Sequence, residues 1–463
     1  MPVIENFGRN VHFRPKHWYA PRSDEEVLEI LRRHRGERIR SAGGLHSWSR
    51  ILASDGVLLD MRYFDSVGIV TMGTGPKREG ARVRLGAGCT IKRVLALLEP
   101  HGLTLPTLGA ITRQTIAGAI STGTHGSGKP SLSHFVEEVR LAGYDPATGE
   151  PIIRRFRGRE ELRAARCALG GLGVILDVVM RASKSYRVRE RFEKVATLAE
   201  ATAMRAKWPL QQFFLVPWKW RYFVYRRKRT LLPHSRLCAL LLRIWLLVSI
   251  DFAQHWILRC MVLPLARVAG DWVIRLFLCG TPIFGHRRID DSQHVLTLRH
   301  DLLRHVEMEV FVRESELAPA IDSIRGLIEL AAGRVTPGAA ALEPRVPGLR
   351  GTWTHHYPVS FRYVLPDDTL VSMASKAFEG DTESWVAISF FTYALPISAA
   401  FEGFAFAVAR LLIAQHRARL HWGKYFPLPF RDAVKSYPRF AEFEAICRRY
   451  DPDPVRAFWS ENL

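Results

Sequence analysis

Four short stretches carry residue types that could do chemistry. The first is Arg40-Ser41-Ala42-Gly43-Gly44-Leu45-His46-Ser47-Trp48-Ser49. A glycine pair lets backbone amides close on a bulky anionic ligand, and Ser47 and Ser49 add hydroxyl donors beside His46. The second runs from Leu105 to Gly128 and ends Ser121-Thr122-Gly123-Thr124-His125-Gly126-Ser127-Gly128. Its glycines and small hydroxyl residues suit a backbone that passes close to a ligand. The third is Gly170-Gly171-Leu172-Gly173-Val174-Ile175, which a plain helix-to-strand turn explains nearly as well. The fourth is His421-Trp422-Gly423-Lys424, where a lysine could hold an anionic ring edge or a substrate oxygen.

The elements around these stretches alternate in type. Glu25–Arg33 reads as an amphipathic helix and Gly56–Met61 as a strand. A strand at Arg82–Gly88, a helix at Ile91–Glu99, a helix at Thr115–Ala119 and strands at Val136–Tyr144 and Leu176–Arg181 follow. Short strands broken by glycine, with helices between them, predict an α+β domain over residues 1–186. No strand, GxGxxG and helix occur in succession, so a Rossmann dinucleotide site is not supported.

Together the stretches resemble the aldonolactone/alditol oxidase branch of the vanillyl-alcohol-oxidase flavoenzymes. The resemblance is strong over about residues 12–186, weaker over the C-terminal fifth and poor between. It implies a PCMH-type FAD-binding domain (1–186) of two α+β subdomains with FAD between them. A cap (187–415) with a mostly antiparallel sheet would cover the isoalloxazine, and the tail (416–463) would return to the flavin domain. The implied cofactor contacts are Ala42, Gly43, Gly44, Leu45, His46, Ser47, Trp48, Leu108, Gly109, Ala110, Gln114, Gly118, Ser121, Thr122, Thr124, Ile175 and Lys424. By resemblance, His46 bonds covalently to the flavin. Gly109 falls where relatives place a small residue over the flavin edge, which leaves room for dioxygen. The ending Asp451-Pro452-Asp453-Pro454-Val455-Arg456-Ala457-Phe458 also resembles the family's close.

The implied reaction moves a hydride from an alcohol or sugar-lactone carbon to flavin N5, with Lys424 and Arg362 as the catalytic candidates. The acceptor would be dioxygen, unless a membrane quinone or a protein takes the electrons. Two rival readings are a membrane-associated dehydrogenase of an apolar or lipid-linked alcohol and a flavin fold without catalysis. Two departures from the family bear on substrate. Relatives carry Glu-x-Arg on a flavin-facing strand, and the matching segment Pro358-Val359-Ser360-Phe361-Arg362 keeps Arg362 but places Ser360 at the glutamate. A polyol-oxidase histidine aligns with Phe390, while Thr392 is retained. With substrate contacts at Ser360, Arg362, Phe390, Thr392 and Lys424, the pocket would suit a less hydroxyl-rich alcohol. A shifted alignment would instead bring Glu307 or Glu309 into the glutamate's place.

Composition bounds the rest. The 463 residues are 48% hydrophobic and carry a formal net charge of +21, largely from arginines spread along the chain. The charge fits an Arg-rich bias first, an anionic membrane second and nucleic acid last, since no nucleic-acid module is present. Six scattered cysteines lack metal-ligand spacing, which predicts no metal site, reduced thiols and a cytoplasmic location. The N-terminus lacks the basic and apolar regions of a signal peptide. The segment 237–284 is densely apolar but broken by Arg243, Asp251, Arg259, Arg267, Asp271 and Arg275, which argues against a spanning helix. Pro264 is expected to divide it into two helices. These would form buried core or a monotopic surface resting on the cytoplasmic face of a membrane. Gly338–Gly351 reads as a loop.

Overall fold

The computed structural model describes residues 3–72, 80–233, 236–280, 285–297, 304–393, 398–451, 457–460 and 462. Residues 281–284 and 452–456, at the end of the apolar segment and within the C-terminal motif, lie outside the described residues.

The N-terminal part holds two sheets. Strands β1 (His17–Tyr19), β2 (Ile39–Ala42) and β3 (Val57–Asp60) form a parallel sheet in the order β1-β3-β2. Helix α1 (Asp24–Arg33) connects the first two strands. Its N-cap Ser23 accepts from the Glu26 amide, and Val27, Ile30 and Leu31 are buried. Strands β4 (Val67–Met72), β5 (Ala81–Gly86), β6 (Val136–Tyr144), β7 (Pro151–Phe156) and β8 (Val174–Lys184) make an antiparallel sheet ordered β7-β6-β8-β5-β4. Helices α2 (Ile91–Leu98) and α3 (Ile116–Ser121) start at Thr90 and Thr115, whose hydroxyls accept from amides of the first turn. One hydrophobic core joins both sheets and also takes in Trp422, Phe443 and Phe458 from the C-terminal residues.

Residues 187–420 build one eight-stranded sheet. Its strands are β9 (Arg187–Val195), β10 (Gln212–Val216), β11 (Arg221–Thr230), β12 (Arg287–Asp291), β13 (Val306–Arg313), β14 (Val359–Val364), β15 (Trp385–Thr392) and β16 (Arg419–Leu420). The order is β12-β9-β11-β10-β14-β15-β13-β16, antiparallel throughout. Side chains alternate across it. Val310, Phe361 and Phe390 face a core built with the long helices Leu317–Ala331 and Ala399–His416. Glu307, Glu309, Ser360, Arg362 and Phe391 belong to the other face, which is turned toward the flavin domain and two cavities.

Three expectations are corrected here. Pro264 does not divide the apolar segment. Helix runs from Arg236 to Ala269 and breaks at Gly270, whose φ is +95°. Wide π-type turns at Leu258–Val262 precede the proline, so its missing N–H and ring are accommodated within the helix. The run is also not buried core. Leu258, Val262, Ala266, Val273, Ile274 and Leu278 pack on Phe192, Val216 and Phe223, whereas Leu237, Leu241, Trp245, Val248, Trp256, Leu265 and Val268 are exposed. Val268 is 88% exposed, an unusual place for an apolar side chain in so large a contiguous set. By length and composition Leu237–Ala269, mean hydropathy 1.8, could cross a membrane, yet one face of it is occupied by the sheet. Lastly, Gly338–Gly351 is not all loop. Pro337–Leu342 is helical, capped by the Thr336 hydroxyl, with Ala339 and Leu342 buried.

Candidate active site

The glycine-rich stretches converge. Strand β2 delivers the loop Gly43–Trp48 to the edge of a cavity whose empty volume, mouth included, is about 1010 Å³. Glycine is needed at its start. A Cβ on Gly43 would stand 2.1 Å from the Thr115 hydroxyl, and one on Gly44 2.6 Å from the Arg113 carbonyl. Leu45 is left-handed, with φ +52°, and presents half-buried His46 to the cavity 4.9 Å from the Phe7 ring. The Trp48 amide donates to the Gly423 carbonyl at 3.0 Å, joining the histidine loop to the lysine loop. Buried Arg40 donates to the carbonyls of Ile51, Leu169 and Phe458 at 2.9, 2.8 and 2.6 Å. It therefore ties the tail and the Gly170 turn beneath the loop, and burial lowers its pKa to about 10. Among the described residues no carboxylate lines this cavity, while Arg40 and Lys424 do. Close-approach glycines, backbone amides, hydroxyls at Ser47, Thr115, Ser121 and Thr122, and a cation-only lining fit FAD with its diphosphate.

Beside it lies a smaller polar vestibule lined by Gly109, Thr124, His125, Glu307, Glu309, Arg362, His421 and Lys424, among others. Lys424 Nζ donates to Glu307, whose Oε1 has no hydrogen-bond partner although Glu307 is buried. Glu309 accepts from Ser389 Oγ at 2.9 Å and faces His125 Nε2 at 3.5 Å and His421 Nε2 at 3.9 Å. Burial would raise the Glu309 pKa, but His125, then Lys424 and His421, overcome this and hold it well below the carboxylate range. Burial also holds His421 neutral, well below the usual histidine value. Its Nδ1 accepts from the Gly423 amide at 3.0 Å, which leaves the Nε2 proton for Glu309. His125, Glu309 and His421 thus bring ligand-type atoms within 4.8 Å of one another.

The expected contacts distribute as follows. Ala42, Gly43, Gly44, Leu45, His46, Ser47, Trp48, Gln114, Gly118, Ser121, Thr122, Ile175 and Lys424 line the large cavity. Gly109, Ala110 and Thr124 line the vestibule instead. Leu108 lines neither and packs in the core. Arg362 lines the vestibule, and Ser360 sits on the same sheet face, where its hydroxyl accepts from Gln212 Nε2 at 3.0 Å. Phe390 and Thr392 are a correction. Both are fully buried on the opposite face of β15, Phe390 against His355 and Phe404, while the neighbouring Phe391 faces the vestibule. A slip of one residue along a strand exchanges the two faces. His305 and Phe391 were not singled out in the sequence, and Arg40, Thr115 and Gly170 stood inside the quoted stretches without being named as contacts. Thr115 as the Ser/Thr before a helix start is a local signal, whereas His305 and Phe391 reach the site by tertiary contact alone.

A third cavity adjoins the vestibule. It lies between the sheet and the apolar helices, shares His305, Arg362 and Phe391 with the vestibule, and has an empty volume, mouth included, of about 1710 Å³. Phe192, Phe214, Phe223 and Tyr225 form its floor, and Leu240, Ile244 and Leu247 its roof.

The fold and these cavities define an FAD-linked oxidoreductase. An FAD binding domain pattern matches residues 15–146, and the D-arabinono-1,4-lactone oxidase pattern matches residues 177–463. The chain is 44% identical to a long-chain alcohol oxidase from an uncultured marine euryarchaeote, over 97% of this chain and 94% of that protein. It is 23% identical to the L-gulonolactone oxidase of Bos taurus, over 97% and 95% of the two chains. A solved structure of a solvent-stable cholesterol oxidase superposes with a TM-score of 0.74 at 18% identity, covering 100% of this chain and 96% of that one. The chain belongs to the D-arabinono-1,4-lactone oxidase family. It is an FAD-dependent oxidase of CH–OH groups, and FAD held by the glycine-lined cavity would supply the electron acceptor for the alcohol carbon.

Proposed function

We propose that the chain oxidises long-chain, apolar primary alcohols to aldehydes. The observation that carries this reading is the aromatic and aliphatic cavity opening onto the Glu307–Lys424–Arg362 vestibule. A sugar lactone would leave those walls unused and its hydroxyls unpaired, whereas an alkyl chain fills them. The 44%-identical relative bears the name long-chain alcohol oxidase, which supports the same class.

In this reading Glu307 Oε1 accepts the substrate hydroxyl proton, and Lys424 and Arg362 hold the oxygen as charge grows on it. The carbinol loses one hydride from carbon and one proton from oxygen, and dioxygen leaves as hydrogen peroxide. His46 anchors the flavin covalently, a role supported by its place on the constrained loop at the cavity edge. The exposed face of Leu237–Ala269, with Arg259 and Arg267 on the same run, rests on a bilayer from the cytoplasmic side. The test is anaerobic mixing of the holoenzyme with 1-hexadecanol and with xylitol, read by loss of flavin absorbance. Rapid bleaching by the alcohol alone supports the reading, and bleaching by xylitol alone refutes it.

A further inference from the structure

The apolar cavity does not end as a purely apolar alkyl site should. Its lining holds Arg227, Arg243 and Arg288 at the end farthest across the sheet from Glu307, and no carboxylate among the described residues. Their partners sit behind them. Glu190, fully buried on β9, accepts from Arg227 Nε at 2.6 Å and Arg288 Nε at 2.7 Å, while Arg243 pairs with buried Asp290 at 3.3 Å. Three guanidiniums therefore face two buried carboxylates. Among the described residues nothing accepts from Nη2 of Arg227, Nη1 of Arg288 or either Nη of Arg243. These nitrogens are accessible from the cavity rather than sealed in the core, so a ligand's oxygens can take the place of water on them.

Sheet topology sets the reach. From Glu307 on β13 to Glu190 on β9 the path is β13-β15-β14-β10-β11-β9, five inter-strand steps. At about 4.8 Å per step this is roughly 24 Å. An extended chain advances about 1.2 Å per bond, as an extended backbone does over three bonds per residue. Allowing for arginine side chains reaching inward, the gap suits a chain of about 12–18 carbons.

We propose that the far end of this cavity is a carboxylate site, and that the favoured substrate is an ω-hydroxy long-chain carboxylate, held by Arg243, Arg227 and Arg288 while its carbinol lies at Glu307. The proposal rests on the long-chain alcohol reading and narrows it. Fork-shaped guanidiniums match a carboxylate geometrically, which a neutral methyl end cannot exploit.

The experiment compares 16-hydroxyhexadecanoate with 1-hexadecanol on the holoenzyme, by KM and by displacement of a fluorescent fatty acid. Wild type should favour the hydroxy acid at least tenfold in both. Arg243→Gln should weaken the hydroxy acid at least tenfold more than the alcohol, and Arg243→Lys should keep most of the preference. Equal affinity for the two in folded wild type, or equal loss for both in Arg243→Gln, overturns the carboxylate site alone. If neither compound binds or reacts, the long-chain alcohol reading is overturned as well.

Discussion

Lys424, from the C-terminal loop, reaches Glu307 on cap strand β13, next to the sheet edge, and this ion pair stands between the flavin cavity and the substrate vestibule. Tyr425 secures the same junction, its amide donating to the Glu307 carbonyl at 2.8 Å. The pair leaves one buried carboxylate oxygen of Glu307 open toward the vestibule. Lys424→Ala should cut the rate of anaerobic flavin reduction by about 100-fold or more while FAD content stays near wild type. Glu307→Gln, which keeps shape but loses the proton acceptor, should show a comparable rate loss with a smaller fall in Tm. Retention of full rate in Glu307→Gln would move the proton acceptor elsewhere.

The covalent anchor is read without turnover. Acid-precipitated wild type should stay yellow, with the flavin mass on the peptide that contains His46, and His46→Ala should release it. A colourless wild-type pellet would remove the covalent link and leave the flavin fold intact.

Buried histidines give a pH signature. Burial lowers the pKa of His355 to about 3 and that of His356 to about 4, from an ordinary 6.5. Below pH 6.5 the unfolded chain binds protons that the folded chain refuses. The stability present at neutral pH is therefore lost as pH falls, by about 1.4 kcal/mol per pH unit for each such histidine. Tm should decline between pH 6.5 and 5. His355→Phe, in a site walled by Phe390 and Phe404, should flatten the slope. A flat wild-type Tm over that range would contradict the assignment.

The exposed helical face predicts binding to anionic vesicles that high salt weakens. Glutamate at Val268 and Trp256, both exposed, should abolish sedimentation with vesicles and leave the fold intact. A monodisperse wild type that ignores vesicles at low salt, without detergent, would argue for a different cover over this face.

How much was legible follows the range of the physics. Gly43, Gly44, His46 and the Thr115 helix start are local signals, and the loop they form is where those residue types place it. The face occupied by Phe390 was not legible, because alternation tells which residues share a side but not which side meets the flavin domain. Nor was the meeting of Glu307 with Lys424, which depends on the sheet order. The break at Gly270 rather than Pro264 reflects π-type turns that local sequence does not announce. Apolar density in 237–280 fixed helix but could not say whether core or surface would cover it.

The most direct test of the account is stopped-flow flavin reduction under anaerobic conditions, comparing 1-hexadecanol with L-gulono-1,4-lactone and xylitol on wild type and Ser360→Glu. Reduction by hexadecanol should be at least 100-fold more efficient than by either polar substrate. Ser360→Glu, a carboxylate beside Arg362 on the same sheet face, should erode that margin. Efficient reduction of wild type by the lactone or by xylitol, with hexadecanol inert, would contradict it and return the chain to the sugar-lactone chemistry of its family.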